Sequence, residues 1–327
     1  MIENDLDLKD KKILYELDFN SRQSLSSIAR KLKVSREIVA YRINKLVKDK
    51  FILKFYTIID IAKLGYAAHK NFIRFQNMSE EKEKEFIDFI QEHPKVLYSA
   101  SYDGKFDIVV SIWARDTEEL AIALKEMDTR FGNYFAEKQL STIIRGEYSV
   151  RDYLIGKKSF TKRNYFFGST PEPVKVDETD KKILLELGKD SRISSVIIAN
   201  NLNLSADTIY KRIKKLETAG IIQNYNIVPD EKKYPYTHYK VLISLHNLNE
   251  DKEKQVHEYC RSQNNIWYFC SVLGPWNYEI DLDVKSKDEF RNILREIKIN
   301  FSGIIKDYTV LTVYQTNKYN FCPSLPI

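Results

Sequence analysis

Two short stretches of this chain place basic, aromatic and small polar side chains at helical spacing, a combination able to meet the charge of a polyanion and the edges of its bases. The first comprises Ser35, Arg36, Glu37, Ala40, Tyr41, Arg42, Lys45 and Lys48. The second comprises Ser205, Ala206, Asp207, Tyr210, Lys211, Arg212, Lys214 and Lys215. Positions 36, 37, 40 and 41, like 206, 207, 210 and 211, lie within a turn of one another and share a helix face. Near the N-terminus of a helix docked in a major groove, that face reaches base edges. Arg42, Lys45 and Lys48, with Arg212, Lys214 and Lys215, are placed for phosphates, which give affinity without sequence information. Charge distribution agrees. Arg30 to Lys50 hold eight basic residues against two acidic ones, whereas residues 66 to 150 hold 11 basic and 15 acidic, in a chain of formal net charge +6. A positive field this local is the footprint of a polyanion partner.

The elements that must present these residues occur twice. The chain repeats at an offset of 170 residues, with 19 of 43 positions identical between 10–52 and 180–222. Asp7 and Asp177 can each cap a helix with apolar positions Ile13, Leu14 and Leu17, or Ile183, Leu184 and Leu187. Ser24 and Ser194 open a second, short helix, in which Ala29 or Ala199 permits close approach. The turns Lys33-Val34-Ser35 and Asn203-Leu204-Ser205 then lead into the third helix, whose buried stripe is Val39, Ile43 and Leu46, or Ile209, Ile213 and Leu216. Three short helices with a tight turn before the third make a helix-turn-helix.

Downstream the period changes to alternation. Strands are expected at His69–Phe75, Val96–Ser101, Phe106–Ala114 and Gln139–Ile144, with helices from Glu80 and Asp116; copy two repeats the order from Tyr239. The order βαββαβ is ferredoxin-like, and the fold class is α+β. Stretches such as FDIVVSIW are apolar at both phases, so the uncovered sheet face should pack on a second sheet, in the same chain or another. The expected divisions are helix-turn-helix 1–55, ferredoxin-like domain 56–150, linker 151–176, helix-turn-helix 177–225, and ferredoxin-like domain with tail 226–327. In the linker, Phe160, Lys162, Arg163, Tyr165, Phe166 and Phe167 interleave aromatic and basic groups, and docking of the aromatics on the neighbouring sheet is the expectation.

Composition bounds the remaining classes. At 43% hydrophobic and 30% charged the chain is globular. No apolar run reaches the roughly 18 residues of a membrane span, and the opening MIENDLDLKDKK has no signal-like core, so a cytoplasmic location is expected. Cys260, Cys270 and Cys322 are expected as buried free thiols. His257, Cys260 and Cys270 lack a second ligand set, so no metal or other cofactor is expected. Nucleophile constellations and phosphate-binding loops are absent from the sequence, and no catalysis is expected.

The pattern S-x-x-x-[VI]-x-x-R-I-x-x-L at Ser35–Leu46 and Ser205–Leu216 resembles the Lrp/AsnC family of transcription regulators. DKKILLELGKDSR and the run Glu217–Ile222 resemble the opening and close of that family's DNA-binding domain. Copy one departs at the close, with Lys50 where copy two has Gly220. The resemblance implies sequence-specific binding to double-stranded DNA and assembly as a homodimer or higher homo-oligomer. It also implies a small-molecule effector, often an amino acid, held between ferredoxin-like domains. The family's G-x-x-D loop matches Gly104 to Asp107; copy two has Gly274 to Asn277, with Glu279 near enough to replace the lost carboxylate, so Gly104, Asp107, Gly274, Asn277 and Glu279 are the expected effector residues. Two alternatives accompany this reading: a sirohaem decarboxylase-like enzyme of the same architecture, or a metabolite sensor acting through protein partners.

Overall fold

The computed structural model describes residues 6–156, 165–168, 173–320 and 322. Copy one contains α1 (Leu8–Phe19), α2 (Leu25–Leu32), α3 (Arg36–Lys48), β1 (Ile52–Ile59), β2 (Ala67–Phe75), α4 (Glu80–Glu92), β3 (Val96–Asp103), β4 (Ile108–Ala114), α5 (Thr117–Phe131) and β5 (Phe135–Tyr148). A short strand, β6 (Tyr165–Gly168), stands between the copies. Copy two then contains α6 (Glu178–Lys189), α7 (Ser195–Leu202), α8 (Ala206–Thr218), β7 (Ile222–Pro229), β8 (Thr237–Leu245), α9 (Glu250–Ser262), β9 (Ile266–Leu273), β10 (Tyr278–Val284), α10 (Lys287–Asn300) and β11 (Ile305–Tyr319).

The helical parts form as their caps and stripes dictate. The carboxylates of Asp7 and Asp177 accept from the amides of Asp10 and Asp180, each at 2.8 Å. Ser24 and Ser194 cap α2 and α7, and Ser35 and Ser205 cap α3 and α8. Val39, Ile43 and Leu46, with Ile209, Ile213 and Leu216, are buried against the preceding helices. The tight turns are left-handed at Lys33 (φ 53°) and Asn203 (φ 54°). Past the third helix the same conformation recurs at Gly220 (φ 71°) and, as the sequence comparison suggests, at Lys50 (φ 59°), at a cost of about 1 kcal/mol relative to glycine.

Each copy keeps the ferredoxin-like strand order, β5-β2-β4-β3 and β11-β8-β10-β9, but the two sheets are not separate. One antiparallel sheet runs β2-β4-β3-β11-β8-β10-β9-β5-β6, and a further β2–β5 pairing closes all but β6 into a barrel. Both copies' last strands cross the seam. Residues 135–142 of β5 pair with β2 and residues 142–148 with β9 of the other copy; β11 pairs with β8 and then with β3 in the same manner. This explains why β5 and β11 are longer than expected from sequence. Helices α4 and α5 cover one side of the barrel, and α9 and α10 cover another.

The sheet domains therefore pair within the chain. The inward face is not uniformly apolar, however. In copy one Ala68, Phe72, Val109 and Trp113 point inward beside Lys70, but in copy two the inward positions of β8 and β10 are His238, Lys240, Leu242, Glu279, Asp281 and Asp283, all buried. Alternation in YEIDLDV, which by itself reads as a half-solvated strand, is here alternation between a helix-covered core and a charged interior.

A second feature escaped the sequence reading. β1 and β7 form a separate antiparallel ribbon that crosses both expected domain boundaries, at 55/56 and 225/226. Within the linker, Phe167 stacks on Tyr268 and packs at a tilt against Tyr148, and Gly146 leaves room for its ring, because a Cβ there would lie 2.1 Å from it. The expected docking of linker aromatics thus holds at Phe167, whereas Phe160, Lys162 and Arg163 lie outside the described residues. Cys260, Cys270 and Cys322 are buried free thiols, and Cys322 packs on Gly188 of α6.

Candidate nucleic-acid interface

The exposed face of α3 presents Arg36, Glu37, Tyr41, Lys45 and Lys48, with Tyr41 69% exposed; α8 presents Asp207, Tyr210, Lys211, Lys214 and Lys215, with Tyr210 56% exposed. Ala40 and Ala206 are half-buried on the same faces, and the hydroxyls of Ser35 and Ser205 accept from the amides of Ile38 and Thr208. Both rings therefore stand open to solvent on a polar helix face.

Two residues expected at phosphates are also engaged within their own helix-turn-helix. Arg42 Nη1 lies 2.7 Å from carboxylate oxygens of both Asp7 and Asp10, and Arg212 Nη1 lies 2.7 and 2.8 Å from those of Asp177 and Asp180. Each guanidinium ties the third helix to the start of the first. The pairing holds Asp177 below its ordinary range, chiefly through the hydrogen bond from Arg212. A sequence signal for this exists: Asp7, Asp10 and Arg42 recur together at offset 170.

The two faces differ in how far their charge is already used. Among the described residues Arg36, Lys45 and Lys48 enter no ion pair, whereas Lys211 pairs with Asp207, Lys214 with Glu217, and Lys215 approaches Asp180 at 3.8 Å. Copy one therefore carries the freer positive field.

Placement of one reader relative to the other is set by contacts between counterparts. Ser21 and Ser191, which are 170 apart, share a hydrogen bond of 2.7 Å. Arg22 donates to the carbonyls of Ser191 and Ile193, and Arg192 donates to that of Ser21. In the ribbon, Tyr56 lies opposite Asn226, again its own counterpart. Contacts between equivalent positions define a two-fold axis, so the helix-turn-helix units form a pseudo-symmetric pair inside one chain.

Beneath that pair lies the barrel interior. Lys70 Nζ is 2.6 Å from Glu279, and Lys240 Nζ is 2.5 Å from Asp281 and 3.7 Å from Glu279. Glu279 also accepts from Ser141 at 3.1 Å and from the Trp276 indole at 3.2 Å. His238 is 2.8 Å from Asp281 and 3.6 Å from Glu231. Burial alone would lower the His238 pKa, but hydrogen bonds to Asp281 and Glu231 prevail and raise it to about 10. The unfolded value is about 6.5, so this contribution to stability is complete below pH 6.5 and is lost as pH rises toward 10. Wild-type stability is expected to fall by up to about 1.4 kcal/mol per pH unit between pH 7 and 9 more than that of His238→Gln, by urea unfolding at each pH. Equal slopes would show that His238 is not held protonated.

The expected effector residues are brought to the barrel seam but are used there. A Cβ on Gly104 would come within 3.0 Å of Leu311, and one on Gly274 within 2.9 Å of the Leu140 carbonyl, so each glycine lets the other copy's last strand close over it. Asp107 accepts from the Phe75 amide and Asn277 from the Leu245 amide, both at 2.6 Å. Glu279 belongs to the buried network.

Comparison with known proteins agrees with this architecture. Residues 6–47 match the model of the AsnC-type helix-turn-helix domain, and 176–223 that of winged helix-turn-helix DNA-binding domains. An uncharacterized HTH-type transcriptional regulator of Pyrococcus horikoshii is 50% identical over 136 residues, covering 42% of this chain and 90% of the relative. The leucine-responsive regulatory protein of Klebsiella pneumoniae is 26% identical over 152 residues, covering 44% and 89%. Nearly a whole relative thus maps onto less than half of this chain, as duplication requires. Among solved structures, the siroheme decarboxylase NirDL aligns over 95% of this chain and 93% of its own, with a TM-score of 0.61 at 15% identity, a likeness of fold.

Proposed function

The chain belongs to the Lrp/AsnC family of helix-turn-helix regulators, and from that premise we propose that a single chain reads two half-sites of double-stranded DNA, through α3 and α8. The observation that carries this is the set of counterpart contacts, Ser21 with Ser191 and Tyr56 with Asn226. They give one polypeptide the two-fold pair of readers that helix-turn-helix proteins ordinarily obtain by dimerising. Base contacts are assigned to Ser35, Arg36, Glu37, Ala40 and Tyr41 and to Ser205, Ala206, Asp207, Tyr210 and Lys211; phosphate contacts are assigned to Lys45, Lys48, Lys214 and Lys215. Because the two base-reading sets differ, the favoured operator is an imperfect palindrome. A small-molecule effector acting between the sheet domains would shift the helix-turn-helix pair through the β1–β7 ribbon.

The decarboxylase-like alternative rests on the likeness of fold alone, whereas the exposed basic and aromatic faces of α3 and α8 favour the regulator reading.

Selection of bound duplexes from random sequence tests the proposal. The expected product contains two related but unequal half-sites, about one helical turn (10 base pairs) or a multiple apart, bound by one chain per duplex in native mass spectrometry. Failure to enrich any sequence, or a requirement for two chains per pair of half-sites, would overturn it.

A further inference from the structure

The interior cavity lies where copy one lacks two side chains that copy two possesses. At offset 170, Ala68 stands where copy two has His238, and Ser111 where it has Asp281. Strand register confirms the equivalence: Lys70 lies opposite Ser111 in the β2–β4 pair, and Lys240 lies opposite Asp281 in the β8–β10 pair. In copy two the cross-strand carboxylate of Asp281 neutralises Lys240 at 2.5 Å and is backed by the His238 ring at 2.8 Å. In copy one the cross-strand position offers only a hydroxyl, and the carboxylate that pairs with Lys70, Glu279, comes from the other copy. Ala68, Lys70 and Ser111 all line the cavity, together with an apolar wall of Ile59, Ile61 and Ile143. Its shape is thus that of a missing carboxylate beside an ammonium, with a missing small ring behind it.

We propose that this cavity binds a small apolar monocarboxylate, whose carboxylate takes the place beside Lys70 that Asp281 takes beside Lys240, with its hydrocarbon part over Ala68. The cavity's size limits the class to short or branched acids. An α-ammonium group is disfavoured, because Lys70 and Lys240 both line the site and would repel it. Phe167 of β6 separates the cavity from an outer apolar pocket of about 240 Å³ that includes Tyr66, Ile144 and Gly168 and shares Ala68 and Ile143, giving an entry route when that ring turns. Ile59 is the last residue of the ribbon strand β1, so an occupant touches the element that carries the DNA-binding units. The effect on DNA rests on the function proposed above; the binding site does not.

Isothermal titration of the full chain without DNA, using isovalerate, isovaleramide and valine, tests the site. Saturable binding of isovalerate is expected, with the amide and the amino acid each weaker by on the order of tenfold or more. The double variant Ala68→His/Ser111→Asp supplies the missing groups from the protein itself and should lose isovalerate binding. Ala68→Phe, which fills the apolar end alone, should lose it too and serves if the double variant does not fold. Absence of isovalerate binding, equal binding of the amide, or undiminished binding by a folded cavity-filled variant would overturn the proposal. Because DNA is absent throughout, such failure leaves the operator experiment untouched.

Discussion

Glu279→Gln is expected to destabilise the protein by about 3–5 kcal/mol, more than any single surface change, because it strands a buried ammonium. Lys70 is 6% exposed at its side chain and Glu279 is fully buried. Burial opposes ionisation of Glu279, but the lysines Lys70 and Lys240 prevail and hold its carboxyl below the usual range. The glutamine keeps the shape and can still accept a hydrogen bond, so the loss reads the charge rather than a cavity. Removing both charges, as in Lys70→Met/Glu279→Leu, should recover most of the stability, since a buried pair is weak evidence of net stabilisation while a broken pair is costly. Urea unfolding of Lys70→Met, Glu279→Leu and the double variant gives the coupling directly. Additive losses would mean that the pair is not the coupling element.

The position of this pair also bears on how the halves choose each other. Copy one contributes a buried lysine without an acid at positions 109 and 111, where it has valine and serine; copy two contributes both Glu279 and Asp281. Two first copies facing each other would bury two lysines with neither carboxylate. Pairing of copy one with copy two is therefore favoured by charge as well as by the tether, in the way buried polar groups set partner choice in coiled coils.

DNA affinity is expected to drop about a hundredfold between 50 and 200 mM salt, because four phosphate-contacting lysines give a slope of log affinity against log salt of about −3.6. The contribution should be unequal. Lys45→Ala/Lys48→Ala should reduce the slope of log affinity against log salt by about 2. Lys214→Ala/Lys215→Ala should reduce it less, because Lys214 is already bound to Glu217 and Lys215 lies near Asp180. Changing Arg36, Tyr41, Tyr210 and Lys211 together to alanine should instead collapse the preference for a selected operator over random duplex by about 1–3 kcal/mol for each lost base contact. Fluorescence anisotropy across a salt series separates the two effects. A flat salt response would favour a sensor that works through protein partners, and unchanged operator preference in the fourfold variant would remove α3 and α8 as readers.

Much of this molecule is legible in local sequence. Caps, buried stripes and the tight turn of each helix-turn-helix are interactions among residues within about fifty positions, and they recur at a constant offset, so Asp7, Ser35 and Val39 announce their roles twice. The left-handed site at Lys50 was visible for the same reason, because Gly220 marks it in the other copy. What the sequence could not determine is anything resting on contacts between the copies. The ribbon of β1 with β7, the extension of β5 and β11 across the seam, and the burial of Glu279 and Asp281 all pair residues far apart in the chain. A charged residue on an alternating strand looks the same whether its neighbour is water or a lysine from the other half. Only closure of the barrel places Lys70 beside Glu279, and only that closure turns the alanine and serine at 68 and 111 into a cavity.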